Sequence, residues 1–298
     1  MITLLDGPMG SELAARGVYL DDGPWSANAV IESPEIVSAI HADYVQAGAT
    51  IHTANTFRTQ PLWFETQWRE LTDRAVNLAR EEINRGSEST QGQHHQTMRV
   101  AGSLAPIADC YRPDLSPEMN SLESHHQMAS QLVQSGCDLI LCETFANPIE
   151  SIIAVQQSVK TGCETWIGLT AGPNANLMTP DVMAETAARC VESGSSAVIV
   201  CCTEANASLA YLQALEKRNL GVPLGVSANA GPLEGDLGWH DRDDQLQRNH
   251  AAMQYARLAM QWIDHGATII GACCGCSPIH LEAINGCLRQ RDDQAGSR

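Results

Sequence analysis

Two adjacent cysteines, Cys273 and Cys274, lie between glycines in the segment 271–275, near the C-terminal end of the sequence. Thiolates are good zinc ligands, and the flanking glycines allow a sharp backbone turn, so both thiols could reach one ion. A second pair, Cys201 and Cys202, follows an apolar run earlier in the chain. If the two pairs meet, three thiolates could hold zinc and leave a fourth position open, as in catalytic zinc sites.

Because neighbouring residues of a strand point to opposite faces, we expect only one of Cys201 and Cys202 to face such a metal. Cys276 leaves an alternative open: a fourth thiolate would close the site and favour a non-catalytic zinc or thiol redox sensor. The chain has 11 cysteines, an odd number that cannot pair completely within it. Five isolated cysteines are expected to be small apolar packing residues, namely Cys137, Cys142, Cys163, Cys190 and Cys287.

Short apolar runs rich in β-forming residues alternate with amphipathic stretches along the whole chain. The predicted strands are residues 2–5, 50–53, 99–102, 139–142, 165–169, 197–201, 224–227 and 268–271. The predicted helices are residues 34–47, 62–84, 121–135, 148–161, 181–193, 208–220, 250–265 and 278–289. This alternation predicts a single (β/α)8 TIM barrel over residues 1–298. Catalytic residues of such barrels lie at the C-terminal ends of the strands, which is where both cysteine pairs fall.

Two polar segments interrupt the alternation of strands and helices. Residues 86–97, with His94 and His95, precede the third predicted strand and are expected to form a solvated loop away from the catalytic face. Residues 231–249, with Trp239, follow the seventh strand on the catalytic face. A loop of this length at this position is a candidate lid.

The composition restricts the class of protein and of partner. Apolar residues make up 44% of the chain and charged residues 18%, enough apolar material for one large core. No apolar run reaches the roughly 20 residues that span a bilayer, and the N-terminus lacks the signal-peptide pattern, so we expect a cytoplasmic protein without a membrane partner. The net charge of −17 argues against nucleic acid and leaves small molecules as the expected partners.

Taken together and in this order, the motifs resemble those of the homocysteine S-methyltransferases, a family with betaine-, S-methylmethionine- and folate-dependent members. Residues 271–275 resemble the family's Gly-Gly-Cys-Cys-Gly segment, and Cys201-Cys202 falls where the family has Asn-Cys. Other similar segments are residues 5–13, 23–26, 41–48, 53–57, 142–145 and 227–231. The resemblance covers nearly the whole chain.

The resemblance implies an enzyme that uses zinc to transfer a methyl group to the thiol of homocysteine, giving methionine. It implies three zinc ligands, which are Cys202, Cys273 and Cys274. The donor is expected to be an onium compound, with S-methylmethionine or S-adenosylmethionine favoured because the chain is compact. Betaine or another methylated zwitterion is the alternative, because Gly23-Pro24-Trp25 resembles the betaine-dependent branch.

The resemblance also implies a set of substrate-binding residues. Asp6 and Glu143 would bind the amino group of homocysteine, and Asn229 would belong to the same site. Trp25 and Phe57 could form an aromatic wall around an onium methyl donor. A structural role stays open for each of these residues. Asp6 could cap the following turn, Glu143 could form an ion pair on the rim of the barrel, and the two aromatic rings could pack in the core.

Overall fold

A computed structural model describes residues 2–20, 23–89, 97–230, 237 and 245–296. Eight parallel strands form one sheet in the order β1-β8-β7-β6-β5-β4-β3-β2. Their bounds are β1 Thr3–Leu4, β2 Ile51–Ala54, β3 Arg99–Leu104, β4 Leu139–Phe145, β5 Thr165–Leu169, β6 Ala197–Glu204, β7 Leu224–Asn229 and β8 Ala267–Ala272. Leu5 pairs with Ile51, which joins the two outer strands of this order. The predicted TIM barrel is confirmed.

Helices follow the strands around the outside of the barrel. The α-helices of the described part are α1 Met9–Ala15, α2 Ala29–Glu32, α3 Pro34–Ala47, α4 Trp68–Ser89, α5 Leu122–Gln134, α6 Pro148–Val159, α7 Pro180–Glu192, α8 Ala205–Arg218, α9 Gln245–Asp264 and α10 Pro278–Gly296. Within the described residues, no helix is long and apolar enough to cross a membrane.

Apolar residues pack in two regions, one on each side of the sheet. Alternate strand residues such as Leu139, Ile199 and Ile269 fill the barrel interior, while their neighbours pack against the surrounding helices. The interior cluster continues up to Cys201, Cys202 and Cys273. The thiols therefore lie directly on top of the interior core, and this core determines their position along the barrel axis.

Several predicted bounds were wrong by a few residues, for local reasons. Strands β4, β6 and β7 extend further at their C-terminal ends, because polar residues continue the strand beyond the apolar run. Helix α4 begins at Trp68 rather than at residue 62, since the Gln60 side chain is tied to the carbonyl groups of Ala105 and Pro106 at 3.2 Å each.

The two polar segments lie largely outside the described residues. Residues 86–89 belong to α4 and are helical, contrary to the prediction of a loop, and residues 90–96 are not described. Residues 245–249 form the first turn of α9, so this part of the candidate lid is helical too. Of residues 231–244 only Leu237 is described, so Trp239 and the rest of the candidate lid lie outside the described part.

Candidate active site

A cavity of about 630 Å³ opens at the C-terminal ends of the strands. Seven of the eight residues predicted for the site line it: Asp6, Trp25, Phe57, Glu143, Cys202, Cys273 and Cys274. They come from elements that are far apart in the sequence. The barrel therefore brings these seven side chains around one space.

The thiols of β6 and β8 converge at the floor of this cavity. Cys202 and Cys273 are joined as a disulfide, with their Cα atoms 5.5 Å apart. The Sγ atoms of Cys201, Cys202 and Cys273 all lie within 4.8 Å of one another. Both thiols of the first pair therefore lie close to Cys273, but only Cys202 lines the cavity.

The backbone at Cys202 explains why both side chains of this pair point inwards. Cys202 has a φ of 46°, in the left-handed region, and the pairing of β6 with β7 shifts register between Cys201 and Glu204. Two hydrogen bonds hold this conformation: Thr170 Oγ1 and Asn229 Nδ2 donate to the Cys202 carbonyl oxygen at 3.1 and 3.0 Å. Left-handed non-glycine residues are strained and cluster at functional sites.

The backbone after β8 is anchored on both sides. The Cys273 amide donates to the carbonyl of Ala228, and the Ala230 amide donates to the carbonyl of Cys274, each at 2.9 Å. Gly275, with a φ of 82°, donates its amide to Ser11 Oγ at 3.1 Å. The tight turn thus directs Cys273 and Cys274 towards the cavity, where both line the wall.

Two further cysteines near this floor have other surroundings. Cys201 lies below the cavity wall, 2% exposed, with its Sγ 3.6 Å from Thr144 Oγ1. Cys276 is fully buried and also absent from the wall, and its Sγ points to the Ala228 carbonyl at 4.0 Å. Burial raises the pKa of both thiols, so both are neutral thiols at pH 7.

Asp6 and Glu143 form an acidic side of the cavity. Asp6 accepts hydrogen bonds from the amide and hydroxyl of Thr53, at 2.7 and 2.9 Å, and Glu143 accepts one from the Ser103 hydroxyl. Burial raises the pKa of Asp6, and the nearby Glu143 raises it further, against the hydrogen bonds from Thr53. Burial also raises the pKa of Glu143, against the hydrogen bond from Ser103.

Neither carboxylate has the structural role that was left open for it. The side chain of Asp6 contacts β2 rather than capping α1, whose N-cap is Pro8. Within the described ranges, no arginine, lysine or histidine forms an ion pair with Asp6 or Glu143. Carboxylates that are partly or fully removed from water are costly without a cation, and a ligand ammonium would supply the missing charge.

Two aromatic rings, those of Trp25 and Phe57, also line the cavity. Trp25 and Phe57 meet edge to face, with ring centroids 5.9 Å apart and planes at 70°. Gly10 makes room for the Trp25 ring, because a Cβ atom at this position would overlap it. Trp25 has a φ of 46°, so its backbone too is held in a strained conformation at the cavity.

Asn229 is the one predicted site residue that does not line the cavity. Its side chain is 4% exposed and reaches the backbone of Cys202, as described above. The structure therefore places it behind the thiol floor, where it supports the left-handed turn at Cys202.

Sequence reasoning missed several residues of the wall. Ser103 lies near the end of β3, and Thr144 lies near the end of β4 with a φ of 63°. Cys110, Tyr111 and Arg58 come from the loops that follow β3 and β2. Their position at or just beyond the end of a strand was the available signal, but they do not belong to a motif with a recognisable spacing.

The cluster fits a thiophilic metal by its chemistry. Cysteine sulfur atoms from two strand ends lie close enough to share one ion, and the cavity beside them leaves space for a further, exogenous ligand. Cys202 and Cys273 would have to be in the reduced form to serve as ligands. The donor set and the open side together are those of a catalytic rather than a structural metal centre.

A closed parallel barrel with thiols, buried carboxylates and aromatic rings around one cavity defines a (β/α)8 enzyme that acts on small molecules. A family model described as "Homocysteine S-methyltransferase" matches residues 3–288. The chain belongs to this family and is a methyltransferase of the homocysteine S-methyltransferase type.

Individual relatives match nearly all of this chain and most of their own length. The chain is 30% identical to the homocysteine S-methyltransferase of Escherichia coli K12, over 95% of this chain and 94% of that protein. It is 26% identical to S-methylmethionine–homocysteine S-methyltransferase BHMT2 of Pongo abelii, over 95% of this chain and 77% of that protein. The metallated form of the E. coli homocysteine methyltransferase MmuM superimposes with a TM-score of 0.77 at 27% identity, covering 96% of both chains. The oxidized form gives 0.76 at 27% identity, covering 96% of this chain and 95% of the other.

Proposed function

We propose that this enzyme uses zinc to transfer a methyl group from an onium donor to the thiol of L-homocysteine, giving methionine. S-methylmethionine or S-adenosylmethionine is the favoured donor. One observation carries the proposal: the clustered thiols of Cys201, Cys202 and Cys273 lie by a cavity that is also lined by Asp6 and Glu143, two carboxylates without an ion-pair partner among the described residues. Such a cavity suits a small molecule that has both a thiol and an ammonium group.

We assign Cys202, Cys273 and Cys274 as the zinc ligands. All three line the cavity, so an ion held by them would keep one coordination position open to a substrate. Cys201 is the alternative third ligand because its Sγ is close to those of Cys202 and Cys273. Cys274 is preferred because Cys201 lies below the wall, where its thiol faces Thr144.

The acidic side of the cavity would orient homocysteine. Asp6 and Glu143 would bind its ammonium group, and Thr53 and Ser103 hold these two carboxylates in place. With the ammonium group fixed, the thiol of the substrate is directed to the cysteine cluster on the floor. Positioning of this kind supplies a large part of the rate enhancement when two substrates must react.

Bound zinc would lower the pKa of the homocysteine thiol, so that its sulfur is nucleophilic at neutral pH. In the transfer, a new bond forms between this sulfur and the donor methyl carbon. The bond from that carbon to the positive sulfur or nitrogen of the donor breaks, and its electron pair stays on the donor atom. The thiol proton leaves to solvent, and no side chain has to act as a general base. The protein aligns the three atoms and keeps the aromatic rings of Trp25 and Phe57 beside the positive donor.

Two observations support a sulfonium donor. A relative that matches over most of its length is named for S-methylmethionine, and the cavity offers aromatic rings suited to a positive methyl donor. Betaine is the alternative donor, and the same rings would serve it. The sensor alternative required Cys276 to close the metal site, but the thiol of Cys276 lies outside the cavity wall.

The test is methionine formation by reduced, zinc-loaded protein with homocysteine and one donor at a time: S-methylmethionine, S-adenosylmethionine or betaine. We expect turnover with a sulfonium donor, its loss after chelation, and its return with added zinc. Cys273→Ser should lose bound zinc and turnover together while keeping its melting temperature, whereas Cys287→Ser on α10 should keep both. Bound zinc without turnover on any of the three donors would refute the proposal.

A further inference from the structure

Arg58 is a buried arginine on the wall of the cavity, outside the set of residues assigned above. It lies beyond the end of β2, next to Phe57, and is only 8% exposed. Its guanidinium carbon lies 5.0 Å from the centroid of the Phe57 ring and 6.0 Å from that of Trp63. Two aromatic rings thus hold a cation at the cavity.

The guanidinium group has no acidic partner in the described part of the chain. Its Nη1 donates to the carbonyl oxygens of Pro106 and Ala108, at 3.4 and 3.1 Å, while Nε and Nη2 make no hydrogen bond to described residues. The titratable groups that interact with it electrostatically are the thiol of Cys110 and the carboxylate of Asp109, and neither forms an ion pair with it among the described residues. Burial lowers the pKa of Arg58, yet guanidinium stays charged in proteins.

A buried cation without an acidic partner among the described residues is costly, as are carboxylates that lack a cation. An arginine that keeps Nε and Nη2 free presents the planar fork that binds a carboxylate through two parallel hydrogen bonds. The wall of the cavity therefore carries both acidic groups, Asp6 and Glu143, and a basic group, Arg58. Substrates of the proposed reaction are zwitterions, with charges of both signs.

We infer that Arg58 binds the carboxylate of the methyl donor and so selects donors that carry one. This inference rests on the proposed function, since it names the class of donor that the same cavity would accept. The position of Arg58 favours the donor over homocysteine. Homocysteine is to be held near the floor by its sulfur and ammonium groups, whereas Arg58 lies beside Trp63 and Asp109, two exposed residues of the wall.

The donor would then be bound at both ends. Its carboxylate contacts Arg58, and its positive sulfur or nitrogen lies against the rings of Trp25 and Phe57, with the methyl group towards the thiols. An onium compound without a carboxylate would be held by the aromatic rings alone. Arg58 acts in this scheme as a specificity-determining residue for the donor.

The experiment compares Arg58→Met, Arg58→Lys and the control Arg69→Met, all reduced and zinc-loaded. Arg69 also stacks on an aromatic ring, with its guanidinium carbon 4.2 Å from the Trp68 centroid, but it is exposed and does not line the cavity. We expect Arg58→Met to raise the KM for S-methylmethionine about 10- to 100-fold, the range for a lost hydrogen-bonded charge. The KM for homocysteine should change less than about twofold, on the same scale. Arg58→Lys should lie in between, and Arg69→Met should match the wild type.

A donor without a carboxylate, propyldimethylsulfonium, separates recognition from folding. Its turnover should be the same in the wild type and in Arg58→Met, because the lost contact does not exist for it. Equal loss with both donors, or a rise in the KM for homocysteine instead, would overturn the inference. A second measurement, which does not depend on turnover, is the affinity of metal-free protein for S-methylmethionine by calorimetry. Weaker binding by Arg58→Met supports the inference even if no variant is active, in which case only the proposed function fails; unchanged binding overturns it.

Discussion

Two buried histidines below the cavity should make the fold sensitive to mild acid. His41 on α3 and His52 on β2 are both 0% exposed. Both ring nitrogens of His41 and Nδ1 of His52 lack a hydrogen-bond partner in the described part of the chain. Burial, together with the nearby His52, lowers the pKa of His41 to about 3. Burial lowers the pKa of His52 to about 4, against a hydrogen bond to the Ala49 carbonyl.

The sign and size of the effect follow from these pKa values. In the unfolded chain both imidazoles have a pKa of about 6.5, so the unfolded state takes up protons first as the pH falls. The stability contributed by the neutral pair is present above pH 6.5 and is lost between there and the folded pKa values. When the pH falls from 7 to 5, each histidine lowers the free energy of unfolding by about 2 kcal/mol, and the pair lowers it by about 4 kcal/mol.

The measurement is urea denaturation followed by circular dichroism at pH 7, 6 and 5, in reductant. His52→Leu replaces one imidazole by an apolar side chain of similar size, so the loss between pH 7 and pH 5 should shrink by about 2 kcal/mol. The absolute stability of this variant also changes, because the Ala49 carbonyl loses its donor, but that change does not depend on pH. His126→Gln is the control, since His126 lies exposed on α5.

An unchanged pH dependence in His52→Leu would refute the reasoning. It would mean that Asp6, whose carboxylate lies within 4.8 Å of both imidazoles, keeps a histidine protonated in the folded state. The raised pKa of Asp6 argues for the opposite, because it favours the neutral carboxyl group.

Three further predictions concern the cavity. Oxidation should abolish metal binding and turnover together, and reductant should restore both, because Cys202 and Cys273 cannot be a disulfide and metal ligands at once. Thiol alkylation with mass spectrometry would measure the oxidation state of the two cysteines, and metal analysis would measure the bound metal. Asp6→Asn should raise the KM for homocysteine about 10- to 100-fold and weaken its rise at acidic pH, where the wild-type carboxylate, with its raised pKa, becomes protonated. Gly10→Ala should displace the Trp25 ring and raise the donor KM, as measured by steady-state kinetics.

Each of these three has a matched control. Cys287→Ser should leave the response to oxidation unchanged, since that thiol is remote from the floor. Glu216→Gln, an exposed carboxylate on α8, should leave the KM for homocysteine as it is. Gly286→Ala adds a methyl group where no atom lies within 4 Å, so its kinetics should match the wild type. A control as impaired as its partner variant would point to general damage instead.

The sequence was sufficient for the barrel because burial on both faces makes parallel strands into continuous apolar runs. It was less informative where polar residues extend a strand, as at Glu143 on β4 and Asn229 on β7. The wall of the cavity was predictable only for side chains in a recognisable motif. Arg58 was missed because its significance depends on burial and on the lack of an acidic partner, which no spacing in the sequence reveals.

Cys201 and Cys202 on β6 show most clearly what the alternation of strand residues cannot predict. Ala197 and Ile199 point into the barrel and Val200 points to the helices, so strict alternation turns Cys201 inwards and Cys202 outwards. The left-handed turn at Cys202 overrides the alternation and brings that thiol to the cavity wall, with Cys201 beneath it. Such a backbone costs about 1–3 kcal/mol. The hydrogen bonds from Thr170 and Asn229 to the Cys202 carbonyl, at about 1 kcal/mol each, are of the size needed to offset it. Asn229 thus acts on the thiol site through the backbone, a role that its position at the end of β7 alone does not reveal.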